Sequence, residues 1–227
     1  MASKSGGEKT IRVLFLGEGD VTDILMARSE GGRKHDVGLA ERTKTKSDGL
    51  IRLEVQHENR SSIAELAQSL TADPPTRRFC ADIAILSLHP DVFVDDESHE
   101  PSFLSSAESV VEALQSNDIH VLWLNACTSD PLRTASNYHA IPEPFTRKAQ
   151  RLDLDLLKLS VSHGISVIDA DRLLGELGTA DYVNGPLDYS PSACEALCEE
   201  TLRIIDDYGF FESRPALEQV GQRARKS

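Results

Sequence analysis

The residues of this chain that are best suited to chemistry lie where its apolar runs end. The first run, residues 11–16, leads directly into Gly17-Glu18-Gly19-Asp20. A parallel strand that ends in Gly-x-Gly is typical of ligand sites in α/β proteins, which lie beyond the carboxyl edge of the sheet. Glycines let a backbone approach a ligand closely, and the two carboxylates could transfer protons. The turn contains no serine, so it lacks a side chain that could attack a carbonyl carbon.

Further polar residues follow the later apolar runs. His89-Pro90-Asp91 comes after the third run, Asn125 follows the fourth, and Asp188 stands shortly before the last helix. Because the carboxyl ends of parallel strands meet at one edge, we expect these residues to lie near the first turn. The candidate catalytic groups are the carboxylates of Glu18, Asp20, Asp91 and Asp188. The candidate ligand-binding residues are Gly17, Gly19, His89 and Asn125.

Two kinds of chemistry suit this set of residues. Carboxylates that lie close together raise one another's pKa and could serve as general acids and bases. Together with His89 they could instead bind a hard divalent cation. The sequence has no complete metal-binding pattern, and we therefore assign it neither a resident metal nor a cofactor. The alternative is structural, since an Asp or Asn at a strand end commonly caps the helix or turn that follows.

The hydrophobic pattern alternates between strands and helices. Continuous apolar runs between amphipathic helices predict a parallel sheet that is covered on both faces. We therefore expect an α/β fold, a three-layer α/β/α sandwich with a central, mostly parallel five-stranded sheet of the flavodoxin-like kind. Strands are predicted at 11–16, 50–55, 81–88, 119–125 and 165–169, and helices at 61–70, 101–115, 145–163 and 192–205, with a short helix that ends at 177.

This pattern divides the chain into three parts. Residues 1–10 are predicted to be a flexible segment, 11–207 the α/β domain, and 208–227 a partly helical extension. Phe210 and Phe211 are adjacent, and exposing both to water would be unfavourable, so we expect this part of the extension to dock on the domain. The basic segment 28–52 is interpreted as a solvated loop.

Composition argues against several classes of partner. The chain has 24 Lys and Arg against 37 Asp and Glu, a formal net charge of −13, and 5% aromatic residues, so we expect no nucleic-acid surface. No run of 18 apolar residues occurs, and the opening residues lack the apolar centre of a secretory signal. The four cysteines show no disulfide pattern, and Cys194 and Cys198 are expected to pack in the core. We expect a reduced, cytoplasmic protein, away from membranes, whose partner is a small molecule or another protein and whose oligomeric state is open.

The second half of the chain resembles a known family. The helix that begins Phe145-Thr-Arg-Lys and the following His163-Gly-Ile-Ser-Val-Ile-Asp169 are similar to the penultimate helix and final strand of the SGNH, or GDSL-type, esterases and lipases. Gly185-Pro-Leu-Asp188-Tyr-Ser-Pro resembles the Asp-x-x-His block that precedes the terminal helix of that family. The resemblance extends over roughly residues 11–205 and implies the same fold.

The resemblance also implies which residues would form an esterase site. In the family, a serine after the first strand attacks the ester carbonyl, a histidine takes its proton, and an aspartate orients the histidine. The family's Gly-Asp-Ser corresponds to Gly17-Glu18-Gly19, so Gly19 occupies the place of the nucleophile. Its Asp-x-x-His corresponds to Gly185-Pro-Leu-Asp188, which lacks both the acid and the base, and its oxyanion asparagine falls on or near Asp91. The glycine of its second block has no clear match around 59–61.

These replacements predict a protein that has lost ordinary ester hydrolysis. A glycine has no side chain with which to attack, and an ionised Asp91 would repel the negative charge that develops on the substrate oxygen. The resemblance therefore favours a pseudoenzyme, which would be a binding or regulatory module for an acyl- or sugar-containing ligand or for a protein partner.

Two alternatives are open. One is a hydrolase or transferase with altered, carboxylate-based or metal-assisted catalysis at the same strand ends. The other is a Rossmann-like methyltransferase in which Gly17-Glu18-Gly19 approaches S-adenosylmethionine and Glu54 or Glu58 binds its ribose. The order of the elements after residue 145 fits the esterase-like pattern better.

Overall fold

The computed structural model describes nine stretches of the chain, which are residues 9–17, 38–47, 50–59, 62–72, 80–93, 103–126, 143–178, 183–185 and 188–211. For residues 89, 93, 143–145, 183–185 and 188 the description covers the backbone alone. Most of the segment 1–10, for which flexibility is predicted, and all of 212–227 lie outside the described residues.

Strands and helices alternate along most of the described chain. The strands are β1 (Lys9–Leu16), β2 (Ile51–Glu58), β3 (Ile83–Ser87), β4 (His120–Leu124), β5 (Ser166–Ile168), β6 (Val183–Gly185) and β7 (Asp188–Tyr189). The helices are α1 (Leu39–Lys46), α2 (Ile63–Ala72), α3 (His89–Phe93), α4 (Phe103–Gln115), α5 (Glu143–His163), α6 (Ala170–Leu177) and α7 (Pro191–Asp207).

The first five strands form one parallel sheet in the order β2-β1-β3-β4-β5. In register, Val13 of β1 lies beside Ile83 of β3, which in turn lies beside His120 of β4. The predicted fold class is confirmed, because helices flank this five-stranded sheet on both faces. The order is the flavodoxin-like one and differs from the 3-2-1-4-5 order of Rossmann-like folds. The methyltransferase alternative therefore lacks topological support.

Alternation along the strands divides the apolar side chains between two cores. Ile11, Val13 and Phe15 of β1 belong to a first core, to which α1, α6 and α7 contribute. Leu14 and Leu16 belong to a second core, to which α2, α4 and α5 contribute. Every residue of β3 is buried, as expected for a central parallel strand. Because helices cover both faces, the strand ends and the sheet edges are the places where a ligand could reach this sheet.

Helix α1 corrects the interpretation of the basic segment 28–52 as a solvated loop for residues 39–46, whereas 28–37 lie outside the described residues. Leu39 and Thr43 lie one turn apart on α1, and both are buried. Arg42 forms ion pairs with Glu195 and Glu199 of α7. The helix contains few apolar residues, so its place on the domain depends on tertiary contacts that the local sequence does not reveal.

The chain continues beyond α7 across the amino edge of the sheet. Tyr208, Phe210 and Phe211 pack against the first core. The Tyr208 hydroxyl lies 2.8 Å from Oγ of Ser166 at the start of β5. The His120 ring at the start of β4 lies 5.0 Å from the Phe210 ring and 5.1 Å from the Tyr208 ring, measured between centroids. The expectation that the aromatic pair docks on the domain is thus confirmed.

Two cysteines also lie where the sequence pattern places them. Cys198 is buried in the first core, and Cys194 packs against the same core. Burial raises the pKa of the Cys198 thiol to about 12, so this thiol stays protonated at neutral pH. In the described part of the chain, no helix combines the length and apolar character needed to cross a membrane.

Candidate functional site

The carboxyl edge of the sheet is the candidate site, and the structure describes it in part. Gly17, Asp91 and Asn125 are described completely, and the backbone alone is described for His89 and Asp188. The turn residues Glu18, Gly19 and Asp20 lie outside the described residues. Whether the four candidate carboxylates converge therefore stays a prediction, and the contacts of the three complete residues provide the evidence.

Gly17 ends β1 at a close contact with β3. A Cβ atom on Gly17 would lie 2.9 Å from Cβ of Ser87 and 3.2 Å from Cε1 of Phe15, which is too close for any side chain without a shift. The Gly17 N–H donates to the carbonyl of Glu58 at 3.3 Å, and the Gly17 carbonyl lies 3.1 Å from Nε2 of His57. The packing of three strand ends therefore accounts for a glycine here without a ligand.

His57 is a residue at this edge that the sequence prediction missed. Its ring centroid lies 5.8 Å from that of Phe15, and its Nε2 atom contacts the Gly17 carbonyl. A carbonyl oxygen can only accept a hydrogen bond, so Nε2 carries the proton in this contact. The sequence signal was the alternating pattern of β2, which continues through Glu58, three residues beyond the predicted strand 50–55.

Asp91 connects the end of β3 to the start of α2. It is buried, and its Oδ1 atom accepts a hydrogen bond from the N–H of Ile63, the first residue of α2, at 2.8 Å. Burial raises the pKa of Asp91 to about 7, against the opposing effects of the Ile63 hydrogen bond and the charge of Lys148. In this contact Asp91 satisfies one of the unpaired N–H groups at a helix start. This hydrogen bond is the helix-capping role that the sequence analysis gives as the structural alternative for a strand-end aspartate.

Asn125 makes the corresponding connection at the ends of β4 and β5. Its Oδ1 atom accepts from the N–H of Ala170 at 2.7 Å, and its Nδ2 atom donates to Oδ1 of Asp169 at 3.0 Å. The same Asp169 oxygen accepts the N–H of Arg172 at 3.1 Å and caps α6. Asn125 is buried, so the amide is committed to holding the first turn of α6 and leaves little polar surface for a ligand.

The sequence prediction also missed a groove beside β5, the edge strand. This β5 groove has a volume of about 630 Å³ and is lined by β5, by parts of α5, α6 and α7, and by Asn125, one of the predicted ligand-binding residues. Asp153 of α5 lies in it and accepts a hydrogen bond from the Ala126 backbone, but its Oδ1 atom has no partner in the described chain. Burial raises the pKa of Asp153 to about 7, and repulsion by Asp171 and Asp169 adds to the increase. The sequence signal that could have identified Asp153 is its position between Leu152 and Leu156, two apolar residues that α5 buries.

The described histidines do not supply a base beside the last strand. Of the seven histidines in the sequence, the last is His163, so none follows β5 in the chain. His163 ends α5 and His120 begins β4, which places both at the amino edge, away from the candidate site. Among the described residues, no three acidic, His or Cys side chains are arranged to hold a metal ion.

Solved structures with the same architecture are known. A lipase/acylhydrolase from Enterococcus faecalis superposes with a TM-score of 0.63 at 15% identity, covering 87% of this chain and 96% of that chain. An acetyl xylan esterase, AlAXEase, gives a TM-score of 0.61 at 14% identity, with 86% of this chain and 100% of that chain covered. This chain has an SGNH hydrolase-like fold. A catalytic mutant of an acetylxylan esterase from Geobacillus stearothermophilus is also similar to this SGNH-like chain, with a TM-score of 0.60 at 11% identity and coverages of 87% and 95%.

Comparisons of the sequence alone give no match. No family model matches the chain, and no curated protein matches it. Two of the similar structures are catalytic mutants of one acetylxylan esterase, in which a histidine or an aspartate is replaced by alanine. At identities of 11–15% the likeness establishes the fold, and the chemistry must be argued from the residues of this chain.

The contact between β1 and β3 predicts that Gly17→Ala is destabilising. The new Cβ atom would press on Ser87, and relief of such overpacking costs about 1–3 kcal/mol of unfolding free energy. Ser87→Gly removes the atom it meets, so the double variant should recover part of the loss. Urea unfolding of both single variants and the double variant measures this coupling. Gly175→Ala, in α6 with nothing within 4 Å of the new atom, is the control and should be neutral or stabilising. Equal effects of the two alanines would contradict the packing role of Gly17.

The buried carboxyl of Asp91 predicts an unusual pH dependence of stability. Because its pKa is raised from 3.8 to about 7 on folding, the folded state binds more protons than the unfolded state between these values. Stability should therefore fall as pH rises from 4 to 7, by at most about 1.4 kcal/mol per pH unit from this group. Asp91→Asn keeps an acceptor for the Ile63 N–H and should reduce the slope, leaving the contribution of Asp153, whose pKa is also raised to about 7; urea unfolding from pH 4 to 8 measures the change. Asp206→Asn, at an exposed position, is the control, and an unchanged slope in Asp91→Asn would refute the account.

Proposed function

We propose that this protein is a non-catalytic module with an SGNH hydrolase-like fold that binds an acyl- or sugar-containing ligand or a protein partner. The observation that carries the proposal is the residue type at the two positions that correspond to the family's nucleophile and base. Gly19 stands at the first of these positions and Asp188 at the second. A serine–histidine hydrolase needs both groups, one to attack and one to accept the proton.

The described residues offer no replacement for the missing base. His57 lies at this edge, but its Nε2 atom donates to the Gly17 carbonyl, so only its Nδ1 atom could accept a proton. Asp188, in the place of the histidine, is paired with Gly185 across the β6–β7 hairpin. Because a carboxylate is a far weaker base than imidazole, it would not activate an alcohol at neutral pH.

Nearby serines are committed to structure in the described chain. The Ser190 side chain is buried and caps α7 by accepting the N–H of Ala193 at 3.3 Å. Ser87, at the end of β3, is buried against the backbone of Gly17. Neither side chain has the exposure that a nucleophile needs, and this supports a non-catalytic role.

The names of the similar structures support the proposed class of ligand. Acetyl xylan esterases and a lipase/acylhydrolase share this fold, and their names indicate substrates with acyl groups or acylated sugars. A module that kept the fold and lost the reacting groups could retain affinity for such molecules. A protein partner fits the same proposal, because a domain that catalyses no reaction can still act by binding another protein.

A second candidate function is altered, carboxylate-based catalysis by a hydrolase or transferase. It is favoured by the pKa values of about 7 for Asp91 and Asp153, which suit proton transfer at neutral pH. Both carboxyl groups accept backbone hydrogen bonds, from Ile63 and Ala126 respectively, which favours a structural role for them.

An aryl-ester assay distinguishes the two candidates. We expect the wild-type protein to hydrolyse p-nitrophenyl acetate no faster than the same protein after unfolding, with an acetyl xylan esterase as the positive control. Gly19→Ser alone should stay inactive because the base is still missing. A saturable wild-type rate of about 1 s⁻¹ or more would refute the non-catalytic proposal. If Asp91→Asn or Asp153→Asn then abolished that rate while the fold persisted, carboxylate-based catalysis would replace it.

Calorimetry tests the binding part of the proposal. Xylo-oligosaccharides with and without acetyl groups are titrated into the wild-type protein. A dissociation constant in the range of about 1 μM to 1 mM for either ligand supports a retained sugar or acyl site. The absence of binding to both, together with co-purification of no protein at a fixed ratio, would contradict it.

A further inference from the structure

Helix α5 presents an apolar stripe to solvent. Leu154, Leu157 and Val161 are 59%, 56% and 89% exposed, and their spacing of three and four residues places them on one face of the helix. Leu152 and Leu156 hold another face of the helix in the second core. The stripe belongs to neither core of the described chain, and contiguous exposed apolar side chains are typical of a surface that binds another molecule.

The spacing of the stripe fits a second helix. Residues 154, 157 and 161 follow the heptad spacing, in which apolar side chains three and then four residues apart form a seam against a partner helix. The nearby Lys158 pairs with Asp155 of the same helix at 2.6 Å, so these two charges offset one another beside the seam. Helix α5 has 21 residues and is about 31 Å long, so it extends beyond the seam at its amino end.

Opposite charges flank the stripe at its two ends. Arg147 and Arg151 are exposed on the same side of α5, two turns and one turn before Leu154. At the other end, Glu112 of α4 is 71% exposed, and its Oε1 atom lies 3.7 Å from Nε2 of His163. Along α5 the surface is therefore basic, then apolar, then acidic.

This order of charges is complementary to itself. In an antiparallel pair of α5 helices with a two-fold axis at Leu157, each residue meets the residue that lies equally far from Leu157 in the opposite direction. Arg151 lies six residues, about 9 Å, on one side of this axis, and His163 lies six residues on the other side. Arg151 would thus face the partner's Glu112, which lies beside His163. Ion pairs at an exposed surface contribute little, so they can be exchanged for these contacts.

The open edge of the sheet is less suited to a second copy. In the described chain β5 pairs with β4 alone, and the β5 groove lies beside it. Five carboxylates and two guanidinium groups line this groove. Two copies that met edge to edge would bring like charges together, which is unfavourable. The face of α5, whose two ends differ in the sign of their charge, avoids this repulsion.

We propose that this face of α5 is a dimer interface, and that it is covered by α5 of a second copy of the chain in antiparallel orientation. Leu157 lies at the two-fold axis, Leu154 packs against the partner's Val161, and Arg151 lies near the partner's Glu112. Three apolar side chains from each copy make a small interface core, so we expect a dissociation constant in the micromolar range. The interface is distinct from the strand ends and does not depend on whether the SGNH-like site is catalytic.

Sedimentation velocity of the full chain tests the dimer. Between about 1 μM and about 1 mM protein, we expect the mass to rise from 24.9 kDa towards twice that value. Val161→Glu places a carboxylate in the seam of both copies and should raise the dissociation constant at least about tenfold. Leu50→Glu makes the same kind of change at a leucine that is 58% exposed before β2, and it should alter the constant less than about twofold. A monomer at every concentration, or equal effects of the two substitutions, would overturn the proposal.

A disulfide at the two-fold axis tests the orientation of the helices. Leu157→Cys brings two copies of the same residue together, so oxidation should link the copies at residue 157. Gln150 lies on the same face seven residues from the axis, and its two copies are about 21 Å apart in the antiparallel pair. Peptide mass spectrometry should therefore find the disulfide of Leu157→Cys forming at least about tenfold faster than that of Gln150→Cys. Equal rates for the two variants, or no bond through residue 157, would contradict the proposed interface.

An exchange of charges tests the flanking contacts. Arg151→Glu and Glu112→Arg should each weaken the dimer about tenfold, because the symmetry changes two contacts at once and attraction becomes repulsion. The double variant should recover the wild-type dissociation constant within about threefold. In one chain Arg151 lies about 18 Å along α5 from His163 and the adjacent Glu112, so this recovery can arise only between two copies. Losses that add in the double variant would overturn the antiparallel dimer.

Discussion

The burial of a parallel sheet on both faces is the constraint on which the rest of this structure depends. Helices cover the two faces of β2-β1-β3-β4-β5, and every residue of the central strand β3 is buried. Polar groups are then confined to the strand ends and the sheet edges, where they must still find hydrogen-bond partners. The candidate site and the β5 groove occupy the two kinds of place that this constraint leaves open.

At the strand ends, the structure uses polar side chains to start helices. Asp91 accepts the first N–H of α2, Asn125 accepts the first N–H of α6, and Asp169 caps α6. Proteins named as an esterase and a lipase/acylhydrolase share this fold, and the fold itself does not decide whether a strand end carries chemistry or a helix cap. In this chain Asp91, Asn125 and Asp169 accept N–H groups at helix starts, and the sequence Gly17-Glu18-Gly19-Asp20 after β1 contains two glycines and no serine.

The sequence predicted the fold because its signals are local and repeated. Runs such as 81–88 and helices such as 145–163 have clear periodicity, and both occur close to the predicted bounds. Helix α1 was missed because it has few apolar residues and because Arg42 pairs with Glu195 and Glu199, which lie more than 150 residues away in the sequence. The partners of Asp91 and Asn125, and the lining of the β5 groove, likewise come from elements that are distant in sequence, so a local pattern can indicate a single residue such as Asp153 but not what surrounds it.

The proposed non-catalytic role requires that the folded protein has no activated nucleophile. A fluorophosphonate reagent tests the claim directly, because it forms a covalent adduct only with a serine whose proton is removed by a neighbouring base. We predict that the intact mass of the wild-type protein is unchanged after incubation, whereas an acetyl xylan esterase under the same conditions gains one adduct. A stoichiometric adduct on any serine of the folded wild-type protein, lost on unfolding, would contradict the account.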